Sequence, residues 1–85
     1  MTWTVSVAKP ARKEVAGFPA KAQDRIVTAL VGMADDPFAG DIIKLEGESN
    51  RWRRRIGSYR IFFSVDIKTK RVEVSAVLRR TSKTY

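Results

Sequence analysis

Two residues, Gly57 and Ser58, constrain this chain more than any others. They separate the runs RWRRRI (51–56) and YRIFFSVD (59–66), which alternate in polarity with the period of two expected of half-buried strands. A Gly-X pair between two such runs is a two-residue hairpin loop, and a loop that short permits one register. Ile56 then faces Tyr59, Arg55 faces Arg60, Arg53 faces Phe62 and Arg51 faces Ser64. A turn over 67–70 leads to a further strand, Arg71 to Leu78. If that turn is symmetric, Phe63 lies near Val74, Phe62 near Ser75, and Arg60 near Val77 with Arg79 one step beyond.

The two faces of this sheet differ in chemistry. Trp52, Ile56, Tyr59, Ile61, Phe63, Val65, Val72, Val74, Ala76 and Leu78 form one, a bed for helices. Arg51, Arg53, Arg55, Arg60, Phe62, Ser64, Ser75, Val77 and Arg79 form the other. Arg54 alone falls on the apolar side, where it is expected to snorkel at an edge or meet a helix carboxylate.

Upstream, Trp3, Val5 and Val7 alternate with polar residues as a strand. Pro10 suits the first position of a short helix, Ala11 to Ala16, ended by Gly17. Pro19 starts a second helix, in which Ala22, Ile26, Leu30 and Met33, supported by Val27 and Val31, recur at helical spacing until Asp35, Asp36 and Pro37 stop it. Ile42 to Leu45 is a short apolar run before a polar turn, Gly47 to Asn50. The pattern predicts one α+β domain over 1–85: an N-terminal strand and a two-helix hairpin packed on a mainly antiparallel sheet of about four strands.

Composition removes whole classes of chemistry. The 85 residues include no histidine and no cysteine, so a thiol nucleophile, an imidazole base, a disulfide and the usual N/S zinc site are all excluded. No cofactor and no metal are expected. No apolar run approaches the roughly 20 residues of a membrane helix, so no membrane partner is expected and a cytoplasmic location is.

The net charge of +8 is unevenly placed. Residues 51–60 carry five arginines and no acid, the last seven residues carry Arg79, Arg80 and Lys83, and the rest of the chain is neutral. Charge gathered in two segments indicates a patch for a polyanion, although an Arg-rich hairpin can also be plain solvated surface. Arg55 opposite Arg60 is a like-charge cross-strand pair that needs an offset, and a phosphodiester would supply it because guanidinium forks match phosphate oxygens. Phe62 either offers a ring on which an unstacked base lies or is a core residue covered by the C-terminal segment.

These residues resemble a known family. KLEG at 44–47, RWRRRIGSYRIFFSVD at 51–66 and the Arg-x5-Tyr spacing of RRTSKTY at 79–85 are similar to the RelE/ParE superfamily of bacterial and archaeal toxins, as are the first strand, KPARKEV and FPAKAQDRI. The short helical hairpin and dense basic strand look like the RelE branch. That resemblance implies a RelE-like fold and a toxin of a type II toxin–antitoxin system. Such a toxin is a metal-independent endoribonuclease (mRNA interferase) that cuts mRNA in the ribosomal A site. The partners it implies are the ribosome, mRNA and a cognate RelB-like antitoxin.

Carried over by position, the RelE site falls on Arg53, Arg55, Arg60, Arg79 and Tyr85. With no histidine available, Tyr85 is the candidate base: free tyrosine has a pKa of about 10, and neighbouring positive charge favours its phenolate. Arg60 and Arg79 would grip the phosphate. RelE-type sites often carry lysines at the positions of Arg53 and Arg55, and arginine gives up a proton reluctantly, so Arg53 would stabilise the leaving oxygen by charge. Arg51, Phe62, Arg80 and Lys83 would contact RNA around this centre. Two other readings stay open: a ParE-like inhibitor of DNA gyrase, and a nucleic-acid-binding module without catalysis.

Overall fold

The computed structural model describes residues 2–47 and 50–80. Seven elements follow in chain order: β1 (Thr4–Val7), α1 (Lys9–Ala16), α2 (Ala20–Met33), β2 (Ile42–Lys44), β3 (Arg51–Ile56), β4 (Tyr59–Asp66) and β5 (Arg71–Arg79). The helix starts follow the prolines. Pro10 lies in the first turn of α1, where its missing N–H costs no hydrogen bond, and Pro19 caps α2.

The strands form one sheet in the order β1-β5-β4-β3-β2. β1 runs parallel to β5 and every other pair is antiparallel. The helical hairpin carries the chain from β1 at one edge of the sheet to β2 at the other, and the segment from α1 through β4 separates the parallel partners β1 and β5. The sheet has five strands where about four were expected. The added strand is β2, three residues long, which pairs Ile42 to Arg54, Ile43 to Arg53 and Lys44 to Trp52.

The β3–β4 hairpin has the expected register throughout, from Ile56 opposite Tyr59 to Arg51 opposite Ser64. Gly57 in its turn has φ of 56°, a left-handed conformation that glycine adopts without steric cost. β5 differs. Phe63 pairs with Val74 but Phe62 pairs with Ala76, so Ser75 is an extra residue and the parity of the strand reverses there. Val77 is thereby turned into the core, fully buried, while Leu78, expected inside, is 45% exposed.

The core lies between the sheet and both helices. Ile61, Phe63, Val65, Val72, Val74 and Val77 meet Ala11, Ala22, Ile26, Ala29 and Met33. In α2 it is Ala29 that is buried, whereas Val27 and Val31, expected to support the core, are exposed. Among the described residues no helix is long and apolar enough to cross a membrane.

Candidate nucleic-acid interface

Alternation along β3 and β4 places Arg51, Arg53, Arg55, Arg60, Phe62 and Ser64 on the face that the helices leave open. Arg53 and Phe62 are direct cross-strand partners, both half-buried. The Arg53 guanidinium makes no ion pair or hydrogen bond among the described residues. It is therefore available to a ligand beside an aromatic ring.

The like-charge pair Arg55 and Arg60 is partly relieved within the chain. Asp41, just before β2, accepts from Arg55 Nε at 2.7 Å and lies 2.6 Å from its terminal nitrogen. Arg60 folds back on the turn and donates to the carbonyls of Gly57 at 3.3 Å and Tyr59 at 3.2 Å. The offset expected of a bound anion is thus supplied in part by one carboxylate and two backbone dipoles. A recess of about 190 Å³ lies among Asp41, Ile43, Arg53 and Arg55.

Arg51 is held by the bulge. Its terminal nitrogen donates to Ser75 Oγ at 3.4 Å, and that hydroxyl donates to the Phe62 carbonyl at 3.2 Å. Arg51 Nε is buried and has no acceptor among the described residues. Glu73, opposite Ser64 in the same row as Arg51, adds an acid at the far end of the face. The open face is accordingly most basic around Arg53, Arg55 and Arg60.

The reversal at Ser75 corrects the placement of Arg79. It pairs with Tyr59, not one step beyond Arg60, and its guanidinium carbon lies 6.0 Å from the centre of the Tyr59 ring, which packs on Phe18. Arg79 therefore approaches from the helix side of the same end of the sheet. Leu78 occupies the place opposite Arg60. Arg80 follows β5, and its backbone N–H donates to the Ser58 carbonyl at 2.6 Å. Lys83 and Tyr85 lie outside the described residues.

Sequence reading missed Asp41 and Glu73. Asp41 carries only a weak signal, an acid before an apolar run, because β2 was not recognised as the partner of β3. Arg54 lies on the helix side as expected, but no carboxylate meets it among the described residues. Among those residues no three carboxylates converge where a metal ion could be held.

Three kinds of comparison bear on identity. The family model for the ParE toxin of type II toxin–antitoxin systems, parDE, matches residues 3–83. No curated protein matches the sequence. Among solved structures, a chain of the archaeal RelE–RelB complex from Pyrococcus horikoshii has 28% identity and a TM-score of 0.86, covering 96% of this chain and 99% of that one. A chain of the toxin–antitoxin complex RelBE2 from Mycobacterium tuberculosis has 22% identity and a TM-score of 0.81, covering 94% and 100%. The isolated E. coli RelE toxin has 18% identity and a TM-score of 0.80, covering 96% and 88%. With the family match spanning nearly the whole chain and the same fold recurring in these toxins, this chain belongs to the ParE toxin family of type II toxin–antitoxin systems, within the RelE/ParE superfamily, and has the RelE-like fold.

Proposed function

We propose that this chain is a ribosome-dependent endoribonuclease that cuts mRNA in the A site and so stops translation. The observation that carries the reading is the pairing of Arg53 with Phe62 on an open face flanked by Arg51, Arg55 and Arg60. A guanidinium suits a phosphodiester and the ring suits an unstacked base.

The chemistry is attack of a ribose 2′-OH on its own phosphate. The O2′–P bond forms as the P–O5′ bond breaks, leaving a 2′,3′-cyclic phosphate and a 5′-OH. The 2′-OH proton passes to a base, assigned to Tyr85, and the departing 5′-oxygen takes a proton from solvent water. Arg60 stabilises the charge on the pentacoordinate phosphorus, and Arg53 that on the departing oxygen. Arg79 joins Arg60 by leaving the Tyr59 ring. The partners on this reading are the ribosome, mRNA and a RelB-like antitoxin; the similar chains from P. horikoshii and M. tuberculosis are from toxin–antitoxin complexes.

Translation of a defined message on purified ribosomes, with primer extension to map breaks, tests the proposal. The wild-type protein should cut in the A site and cut free RNA poorly, and an Arg53→Ala, Arg60→Ala double variant should leave the message whole. An intact message with the wild-type protein rejects the reading. The match to the ParE family model favours a second one, inhibition of DNA gyrase, for which a supercoiling assay should show inhibition while ribosomal messages stay intact.

A further inference from the structure

A second basic feature lies on the helix side of the sheet, away from the arginine face. Arg54 and Arg25 line a groove of about 370 Å³ whose other walls are Thr28, Ala29, Gly32, Ala39 and Ile56. Both guanidiniums rest against glycine backbone. A Cβ on Gly40 would lie 2.7 Å from Arg54 Nε, and one on Gly57 would lie 3.1 Å from a terminal nitrogen of Arg25. The close approach therefore depends on the missing side chains. Arg54 is half-buried. Neither guanidinium has an ion pair or hydrogen bond among the described residues.

A partly desolvated arginine without a counter-charge, sharing a groove with a second arginine, is costly in the isolated chain and is relieved by an anion. The kind of anion follows from the walls. Ala29, Gly32, Ala39 and Ile56 are apolar and Thr28 adds one hydroxyl; there is no ring on which a base could stack and there are only two cations, whereas a nucleic-acid strand repeats its charge. A carboxylate flanked by apolar side chains matches the two guanidiniums and the largely apolar walls.

We infer that this groove is a docking notch for an acidic segment of a protein partner, whose carboxylate is clasped between Arg25 and Arg54. The identity of that partner as the antitoxin rests on the toxin–antitoxin reading; the notch itself lies on the side of the sheet opposite the proposed RNA site. Gly32 sits in the wall with nothing within 4 Å of a Cβ built on it. A larger side chain at this helical position fills the groove without displacing a neighbour, and replacing glycine there also favours the helix.

The test titrates this protein with the antitoxin expressed from the reading frame adjoining its gene, comparing wild type with Arg25→Glu, Arg54→Gln and Gly32→Leu. Each variant should weaken binding at least tenfold, Gly32→Leu with no loss of thermal stability, and A-site cleavage by each free variant should match wild type. Arg25→Glu and Gly32→Leu alter an exposed residue and an open position, so they decide the matter should Arg54→Gln fail to fold. Binding within twofold of wild type for both overturns the proposal. So does lost cleavage with retained antitoxin binding, which would give the groove to the RNA. Should wild type cut no message while the variants still lose the antitoxin, the notch stands and the nuclease reading falls.

Discussion

Asp41 holds Arg55 by a 2.6 Å ion pair at the outer edge of the arginine face, with about half of each side chain exposed. A pair so exposed adds little to stability, about 0 to 1 kcal/mol. On the proposed function its effect is on the site, because it occupies a guanidinium that RNA would otherwise meet. Asp41→Ala should leave thermal unfolding nearly unchanged, tighten binding of a single-stranded RNA and steepen its salt dependence by a slope of about 0.7, the value for one added phosphate contact. Fluorescence anisotropy across a salt series checks this. An unchanged slope would mean that Arg55 takes no part in binding.

Arg53 should matter differently from Arg55, since its guanidinium is not paired among the described residues. On the proposed mechanism, Arg53→Ala lowers single-turnover cleavage on ribosomes about a hundredfold, the scale of losing one donor to the transition state. Circular dichroism should be unaltered. Cleavage at the wild-type rate would remove Arg53 from the site.

Glu14 reaches from α1 to accept a hydrogen bond at 3.1 Å from the backbone N–H of Val77, just past the bulge in β5. β1 pairs with β5 only as far as Val74, so this carboxylate substitutes for the ladder that β1 no longer supplies. Glu14→Ala should destabilise the fold by about 1 to 3 kcal/mol by leaving that donor unpaired. Glu14→Gln keeps an acceptor and should restore most of the loss. Equal denaturation midpoints for Ala and Gln would show that the bond contributes nothing.

Gly40 has φ of 87°, and a Cβ there would press on the Arg54 guanidinium. The flexible end of Arg54 can move aside, so the cost of Gly40→Ala is the backbone strain of the positive φ, about 1 to 2 kcal/mol. The control is Gly32→Ala in α2, which should be neutral or stabilising by up to about 1 kcal/mol. Urea midpoints of the two variants should move in opposite directions or differ clearly.

The gyrase and ribosome readings separate on one preparation. A protein that arrests translation with cleaved messages and leaves supercoiling intact supports the nuclease; the reverse supports the second reading.

Residues 51–66 show how far polarity and turn chemistry reach. A two-residue loop sets the register, so alternation alone places Arg51, Arg53, Arg55 and Arg60 on one face and Arg54 on the other, as the strands do. The helices were legible for a similar reason, since prolines and an acidic stop bound a 3.6-residue repeat. Val27, Val31 and Ala29 were not assigned correctly, because the repeat gives a broad stripe and only packing decides which edge of it meets the sheet.

The run Ser75-Ala76-Val77-Leu78 marks the limit. Three successive apolar residues satisfy either parity, so alternation could not tell whether Val77 or Leu78 enters the core. Contacts distant in sequence settle it: Val77 beneath α1, its N–H bound to Glu14, and Ser75 bound to Arg51 and the Phe62 carbonyl. The same holds for Asp41, which acquires its role only when β2 pairs with β3. The sequence by itself thus determined the hairpin, its arginine face and the helices that cover the other side, all governed by local geometry. The tertiary structure alone decided that Arg79 lies against Tyr59, that Arg55 is already paired and that Arg54 and Arg25 share a groove, because each depends on residues brought together by packing.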